Sequence, residues 1–212
     1  MYKNKTIVIP CAGMGKRLGM NIPKALVKID EKSLIRRNLE LLKDCDDIRI
    51  VVGYKAQDVI EEVLKYRKDV VFVFNNDYQN TGTGDSVSKA AKYANEYVIT
   101  IDGDLLVNPE DIKTILDCEN EFVAGTDPGT DNPVLMEIKD EKVVDFSREH
   151  GDLEWTGVCQ FKANETEPTT GHTYYLMLPK MPLDYIYIRT KEIDTPNDFE
   201  NADRWVRNGY HD

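Results

Sequence analysis

Apolar runs alternate with amphipathic segments along the first half of the chain. Four short runs are rich in β-branched, aliphatic or aromatic residues, which is typical of strands buried on both faces; they span 6–10, 48–52, 70–74 and 97–101. Helices are predicted between them, over 33–42 with Ser33 as the cap, over 58–66, over 85–93, and from Pro109 to Asp117. This alternation predicts an α/β fold with a mostly parallel sheet covered on both faces.

The second half of the chain has a different rhythm. Strands are predicted without helices between them, at 121–124, 134–139, 143–146 and 158–161, with Asp140-Glu141 as a hairpin turn. A polar loop at 165–172, a strand at 185–188 and a helix that begins at Pro196 complete the chain. This half should therefore form an antiparallel extension or flap.

Composition limits the class of protein. The 212 residues are 41% hydrophobic and 31% charged, which suits one domain with a sizeable core. The net charge of −11 argues against a general nucleic-acid binder. No run approaches the ~20 apolar residues of a membrane span, and the first residues lack a signal-peptide core. The four cysteines form no C-x-x-C pair, so we expect reduced thiols in a cytoplasmic protein.

A glycine-containing loop at 10–24 follows the first predicted strand. Residues 1–28 hold six basic residues and no acidic one. Lys3 and Lys5 by themselves are typical of a solvated face. The basic residues of the loop itself favour an anion site there; they are Lys16, Arg17 and Lys24. The loop fails the P-loop pattern at Pro10 and Arg17, and it fails the dinucleotide-binding pattern at Leu18. Arg17 can fork onto two phosphate oxygens, and Lys24 can supply a point charge to a third.

Two motifs in this loop carry a resemblance to a known family. The sequence Ala12-Gly13-x-Gly15-x-Arg17, followed by Pro23-Lys24-Ala25-Leu26, resembles the sugar-phosphate and alcohol-phosphate nucleotidyltransferases. The resemblance implies a Rossmann-like, glycosyltransferase-A-like fold in which this loop wraps the phosphates of a nucleotide; its contacts would come from Ala12, Gly13, Met14, Gly15 and Lys16. It also implies catalytic roles for Arg17 near the leaving pyrophosphate and for Lys24 near the α-phosphate. Cys11, Lys16 and a short gap before Pro23 depart from the family's pattern.

Three further patches fit the same template. Residues 80–87 resemble the base-contacting loop, which implies nucleotide contacts from Gly82, Thr83, Gly84, Asp85 and Ser86, although a turn with an Asp cap remains the alternative. Asp102 and Asp104 end a predicted strand, and Asp194 lies in a segment that resembles the family's closing motif. The resemblance implies that Asp104 and Asp194 hold Mg²⁺, with Asp102 close by at the nucleotide.

The substrates follow from the same resemblance. It implies an NTP, with CTP favoured over UTP, and a small phosphorylated acceptor that is phosphocholine-like or a sugar-1-phosphate, contacted by Glu154, Trp155 and Gly157. A cationic head group could be held by aromatic and acidic side chains, or these could be ordinary packing residues; they are Trp155, Tyr174, Tyr175, Tyr185, Tyr187, Glu149 and Glu154. Within the single domain 1–212, we expect nucleotide binding in 1–120, acceptor binding in 121–190 and the closing metal motif in 191–212.

Two other functions remain open from the sequence. A glycosyltransferase of the same fold would also carry an Asp-x-Asp motif, and a non-catalytic regulatory domain could keep the nucleotide pocket. A nicotinamide oxidoreductase is disfavoured, because Leu18 replaces a required glycine and no acid ends the second strand. The sequence leaves the oligomeric state undetermined.

Overall fold

A nine-stranded mixed sheet forms the centre of the computed structural model, which describes residues 2–211. The strands are β1 (Lys5–Cys11), β2 (Lys28–Ile29), β3 (Lys32–Ser33), β4 (Asp47–Val52), β5 (Val71–Phe74), β6 (Tyr97–Thr100), β7 (Leu105–Val107), β8 (Phe122–Thr126), β9 (Leu135–Lys139), β10 (Lys142–Ser147), β11 (Leu153–Lys162), β12 (Asp184–Tyr187) and β13 (Thr190–Glu192). The α-helices are α1 (Leu34–Leu41), α2 (Ala56–Leu64), α3 (Thr83–Ala90), α4 (Ile112–Asp117) and α5 (Pro196–Arg207). Among residues 2–211, no helix combines the length and the apolar character that crossing a membrane requires.

The strand order is β10-β9-β11-β6-β1-β4-β5, with β8 paired to both β11 and β12. The central strand β1 is parallel to β4 and β6, and β4 is parallel to β5. This confirms the predicted α/β class. The antiparallel half is part of the same sheet, because the long strand β11 pairs directly with β6. It is therefore an extension of the sheet rather than a separate flap.

Alternation along β1 divides the core into two layers. Ile7 and Ile9 face one side, where they pack in a cluster that includes Ile35 of α1 and Val59 of α2. Val8 faces the other side and belongs to a cluster with α3 and the antiparallel strands. Both faces of the strand are buried because helices cover both, which is why the sequence shows a continuous apolar run there.

Several local predictions are confirmed by the structure. The Ser33 hydroxyl caps α1 by accepting a bond from the Arg36 amide at 3.4 Å, and Asp140 and Glu141 form the hairpin turn with φ values of 50° and 58°. The predicted C-terminal helix begins at Pro196, with Thr195 as its cap. The other predicted strands and helices are found with shifts of a few residues at their ends, and β11 is longer than predicted.

Two predictions were wrong. The run at 70–74 was expected to be buried, but β5 is an edge strand on which Val71 is 53% exposed and Phe74 is 54% exposed. Pro109 was expected to open a helix, but α4 begins only at Ile112 after a turn. An apolar run indicates that a segment favours a strand. How far that strand is buried depends on whether another strand or a helix packs against it.

Candidate active site

The glycine loop follows β1, and the side chain of Lys24 passes close to the loop backbone at Gly15. Gly15 has φ of +57°, and a Cβ at this position would lie 2.7 Å from Cγ of Lys24. The position therefore needs a residue with no side chain, both for its backbone conformation and for the passage of Lys24. The far side of the loop is held by the segment that follows β4, where Lys55 Nζ donates to the Asn21 carbonyl at 2.6 Å and the Tyr54 hydroxyl donates to Asn21 Oδ1 at 2.7 Å.

Lys24 joins the two acids that the sequence predicted as metal ligands. Its ammonium donates to Asp104 Oδ2 at 2.6 Å and also to Asp194 Oδ1. Arg17 pairs with the other oxygen of Asp194 at 2.6 Å. The two acids more than offset the burial of Lys24, so the pKa of the lysine is raised and the ammonium is retained.

A short antiparallel ladder brings the two acids together across 90 residues of chain. β7 follows Asp104 and β13 precedes Asp194, and the ladder pairs Leu105 with Glu192. The amide of Ile193 also donates to the carbonyl of Asp104 at 3.3 Å. Sequence analysis did not predict this ladder, yet it determines the position of Asp194.

Glu192 is a member of this acidic cluster that the sequence analysis missed. Carboxylate oxygens of Asp104, Glu192 and Asp194 lie within 4.8 Å of one another. Burial, reinforced by the two aspartates, raises the pKa of Glu192 to about 8. No local signal identified it, because Glu192 reaches the cluster through the pairing of β13 with β7.

This donor set suits a hard divalent cation. Mg²⁺ is bound through one or two carboxylates together with phosphate oxygens and water, and three convergent carboxylates supply more than that number. A cation bound there would favour the ionised form of Glu192, which burial and the two aspartates otherwise disfavour. The residues present therefore fit the ion.

Asp102 lies beneath the same centre with one oxygen unused. Its Oδ1 is buried and has no hydrogen-bond partner among residues 2–211. Burial, with the neighbouring Asp104, raises the pKa of this carboxyl well above its usual range. Gly157 lies against it with φ of +83°, and a Cβ there would be 2.5 Å from Asp102 Oδ2. The Thr100 hydroxyl holds this approach by donating to the Gly157 carbonyl at 2.7 Å.

One cavity of about 750 Å³ connects these groups. Most of the residues singled out from the sequence line it; they are Ala12, Gly13, Gly15, Lys16, Arg17, Lys24, Gly82, Thr83, Ser86, Asp102, Asp104, Glu154, Trp155, Gly157 and Asp194. Met14, Gly84 and Asp85 do not line it. The fold thus gathers a cationic loop, an acidic cluster and the start of α3 around one space.

The Asp85 carboxylate is bonded to nearby backbone amides and does not line the cavity. Its Oδ2 accepts from the Gly82 amide at 3.0 Å and from the Gly171 amide at 2.9 Å. The carboxylate thereby caps α3 and ties the 165–172 loop to the start of that helix. This arrangement corresponds to the Asp cap that the sequence left open as the alternative to a nucleotide contact.

The aromatic and acidic cage considered for a cationic head group does not assemble. Trp155 and Tyr174 line the cavity and both contact Phe146, at ring-centroid distances of 5.3 and 5.1 Å. Both Glu154 oxygens already accept hydrogen bonds from the 129–130 turn, including one from the Gly129 amide at 2.8 Å. The remaining candidates do not line this cavity; they are Tyr175, Tyr185, Tyr187 and Glu149. Tyr187 lines a neighbouring cavity of about 350 Å³.

Comparison with known protein families gives a match over about two thirds of the chain. Residues 7–151 match the family model of the MobA-like NTP transferase domain. The chain belongs to this nucleotidyltransferase family. The matched region of the NTP transferase domain includes the glycine loop, Lys24 and the Asp102–Asp104 segment, whereas Asp194 and α5 lie beyond it.

One curated relative of this chain is a nucleotidyltransferase whose name gives its substrate. The choline-phosphate cytidylyltransferase of Streptococcus pneumoniae is 37% identical over 107 residues, which is 48% of this chain and 46% of that protein. The chain covers less than half the length of the first curated relatives that it matches.

Solved structures extend the similarity of fold to nearly the whole chain. The CTP:phosphocholine cytidylyltransferase LicC of S. pneumoniae superimposes with a TM-score of 0.79 at 22% identity, covering 96% of this chain and 99% of that one. HddC of Yersinia pseudotuberculosis, complexed with GMP-PN, has a TM-score of 0.71 at 25% identity and covers 95% and 99%. The sheet, with its antiparallel extension, is therefore shared with enzymes of this kind.

Proposed function

We propose that this protein is a Mg²⁺-dependent nucleotidyltransferase that couples an NTP, with CTP preferred, to a small phosphorylated acceptor and releases pyrophosphate. The observation that carries the proposal is Lys24, whose ammonium contacts Asp104 and Asp194 at the wall of the cavity that the glycine loop also lines. In this proposal residues 1–120 bind the nucleotide, residues 121–190 bind the acceptor, and residues 191–212 close the metal site.

The reaction is a substitution at the α-phosphorus. An oxygen of the acceptor phosphate forms a bond to this phosphorus, and the bond to the bridging oxygen of the β-phosphate breaks, so that pyrophosphate leaves with the electron pair. The acceptor phosphate is already an anion at neutral pH, since its second pKa is about 6. The enzyme therefore needs no general base, and the task of its residues is to position two anions and reduce their repulsion.

The cationic side chains have separate tasks in this scheme. Lys24 is half-buried and held by two carboxylates, so it presents a fixed positive charge toward the α-phosphate. Arg17 is 67% exposed at its side chain and can follow the leaving pyrophosphate. The backbone amides of the glycine loop hold the phosphates between them.

The acidic cluster would hold the metal. Asp104, Asp194 and Glu192 are the residues that would bind Mg²⁺, which neutralises charge on the triphosphate when it is bound. Because Lys24 contacts two of these acids, the ammonium and a bound ion would share carboxylates.

The acceptor is less narrowly defined than the nucleotide. The pneumococcal relatives act on phosphocholine, as their names state. In this chain Trp155 and Tyr174 are aromatic residues at the wall of the cavity, and the Glu154 carboxylate is already bonded to the 129–130 turn. Both phosphocholine-like acceptors and sugar-1-phosphates are therefore retained in the proposal.

A substrate matrix tests the function. Four NTPs are combined with phosphocholine, sugar-1-phosphates and related phosphate monoesters in the presence of MgCl₂, and pyrophosphate release is measured. We expect release with CTP and at least one acceptor. Consumption of a nucleotide-sugar without pyrophosphate would indicate a glycosyltransferase, and nucleotide binding without any product would indicate a regulatory domain.

A further inference from the structure

A largely buried chain of hydrogen bonds connects α3 to the segment that follows β5, and no catalytic step uses it. It begins at Lys89, a half-buried residue of α3, whose Nζ donates to Asn75 Oδ1 at 2.5 Å. The amide nitrogen of Asn75 then donates to Ser86 Oγ at 3.1 Å and to Thr81 Oγ1 at 2.9 Å. Asn75 is 1% exposed and Ser86 is 3% exposed, and both line the large cavity.

The direction of every bond in this chain follows from the first. An ammonium group can only donate, so the atom of Asn75 that it meets must be the carbonyl oxygen. The other end of the side chain is therefore the NH₂ group, which can only donate to Ser86 and Thr81. The positive charge of Lys89 thus orients a buried amide that would otherwise be free to flip.

The two hydroxyls that receive these bonds are left in different states. The Thr81 hydroxyl donates its hydrogen bond to the carbonyl of Asp77 at 2.8 Å, so it has no hydrogen left to donate into the cavity. Ser86 accepts from Asn75 and donates to no other atom among residues 2–211. The hydrogen of the Ser86 hydroxyl therefore remains available to a group inside the cavity.

We infer that Lys89 and Asn75 are positioning residues that make Ser86 a hydrogen-bond donor to the nucleobase, so that the site selects cytosine over uracil. This inference rests on the proposed function and on the expectation from the sequence that residues 80–87 contact the base. Cytosine presents two adjacent acceptors, N3 and O2, whereas uracil carries a hydrogen on N3. In this proposal Ser86 faces N3 and donates to it in cytosine. Uracil has no acceptor at N3, and accepting from its N3–H would leave the hydrogen of the Ser86 hydroxyl without a partner.

Reversing the chain at Asn75 gives the sharpest test. In Asn75→Asp, the introduced carboxylate still accepts from Lys89 but can no longer donate, so Ser86 turns its hydrogen toward that carboxylate and offers a lone pair to the base. A donor on the base, such as uracil N3–H, is then preferred. Lys89→Met removes the group that orients the amide, and Lys89→Arg keeps a donor in place. Gln57→Glu is a matched amide-to-carboxylate control on the exposed face of α2.

Isothermal titration calorimetry with CTP and with UTP, in the absence of acceptor, measures the affinity ratio without turnover. We expect the wild-type protein to bind CTP about tenfold more tightly or better, which is the scale of one mismatched buried hydrogen bond. Asn75→Asp should shift the ratio at least about tenfold toward UTP. Lys89→Met should reduce the preference, while Lys89→Arg and Gln57→Glu retain it.

A wild-type protein without a preference for CTP overturns the inference, as does an Asn75→Asp protein that keeps the wild-type ratio with an unchanged melting temperature. If Asn75→Asp does not fold, Lys89→Met decides, and a ratio within about twofold of wild type overturns the inference. Pyrophosphate release by the wild-type protein is measured separately. If the wild-type protein forms product but Asn75→Asp keeps the wild-type ratio of CTP to UTP affinity, only this inference is refuted. If the affinity ratios are as expected but the wild-type protein forms no product, only the proposed catalysis is refuted.

Discussion

Lys24→Met isolates the charge at the centre of the site. The lysine is 16% exposed at its side chain and lies 2.6 Å from Asp104, which corresponds to a gross attraction of about 6 kcal/mol at an effective dielectric constant of about 20. Removing the ammonium leaves Asp104 without this partner and Asp194 with Arg17 alone, and for pairs of this kind the net loss is about 3 kcal/mol. In a domain of about 200 residues this lowers the melting temperature by about 6–12 °C.

Two measurements separate the structural effect of this substitution from its catalytic effect. Thermal unfolding in EDTA reports the loss of stability, and repeating it with MgCl₂ should recover most of that loss, because a divalent cation can replace the missing charge among the acids. Pyrophosphate release should stay at least about 100-fold below wild type even when stability is recovered, the usual scale for deleting one positioned charge. Lys28→Met is the control, since Lys28 is an exposed lysine four residues away.

Either of two results would contradict the roles assigned to Lys24. A Lys24→Met protein whose turnover lies within about threefold of wild type has no need of this ammonium at the α-phosphate. An unchanged melting temperature in EDTA would mean that Lys24 does not hold the acidic cluster together. A loss shared equally by Lys28→Met would reflect net charge rather than this position.

Three other substitutions test separate parts of the site. Asp194→Asn should raise the Mg²⁺ concentration for half-maximal activity at least about tenfold, and an unchanged titration would count against Asp194 as a ligand. Gly157→Ala should lower stability by at least about 1–2 kcal/mol, because its φ of +83° is strained for alanine and the added methyl would lie 2.5 Å from the Asp102 carboxylate; a wild-type thermal unfolding curve would contradict this. Asp85→Ala should lower stability by about 1 kcal/mol through loss of its bonds to the Gly82 and Gly171 amides, measured by urea unfolding. Full stability with only a raised KM for the NTP would instead place Asp85 at the base.

The local sequence pattern predicts turns and helix caps, but it does not predict how strands pair or which of them lie at an edge. The hairpin turn at 140–141 and the capped helices α1 and α5 were predictable, because each depends on residues within one or two turns of chain. The exposure of β5 was not, since the same apolar run serves a central or an edge strand. The β7–β13 ladder is only three residues long on each side and joins distant segments, so it leaves no periodic signal.

The α/β class could be predicted from the residues alone, as could the chain order of the helices and of the strands of the nine-stranded sheet. The same holds for the residue types of the site, namely a glycine loop with Arg17 and Lys24 and two separate acidic segments. These features are local, because spacing, capping and turn preferences act within a few residues. The folded structure was needed to show that Glu192 joins Asp104 and Asp194, and that Lys89 orients the amide of Asn75. Such contacts depend on strand register and on how α3 packs against the sheet. A register is selected by the sum of many weak side-chain contacts, and no short stretch of sequence contains that sum.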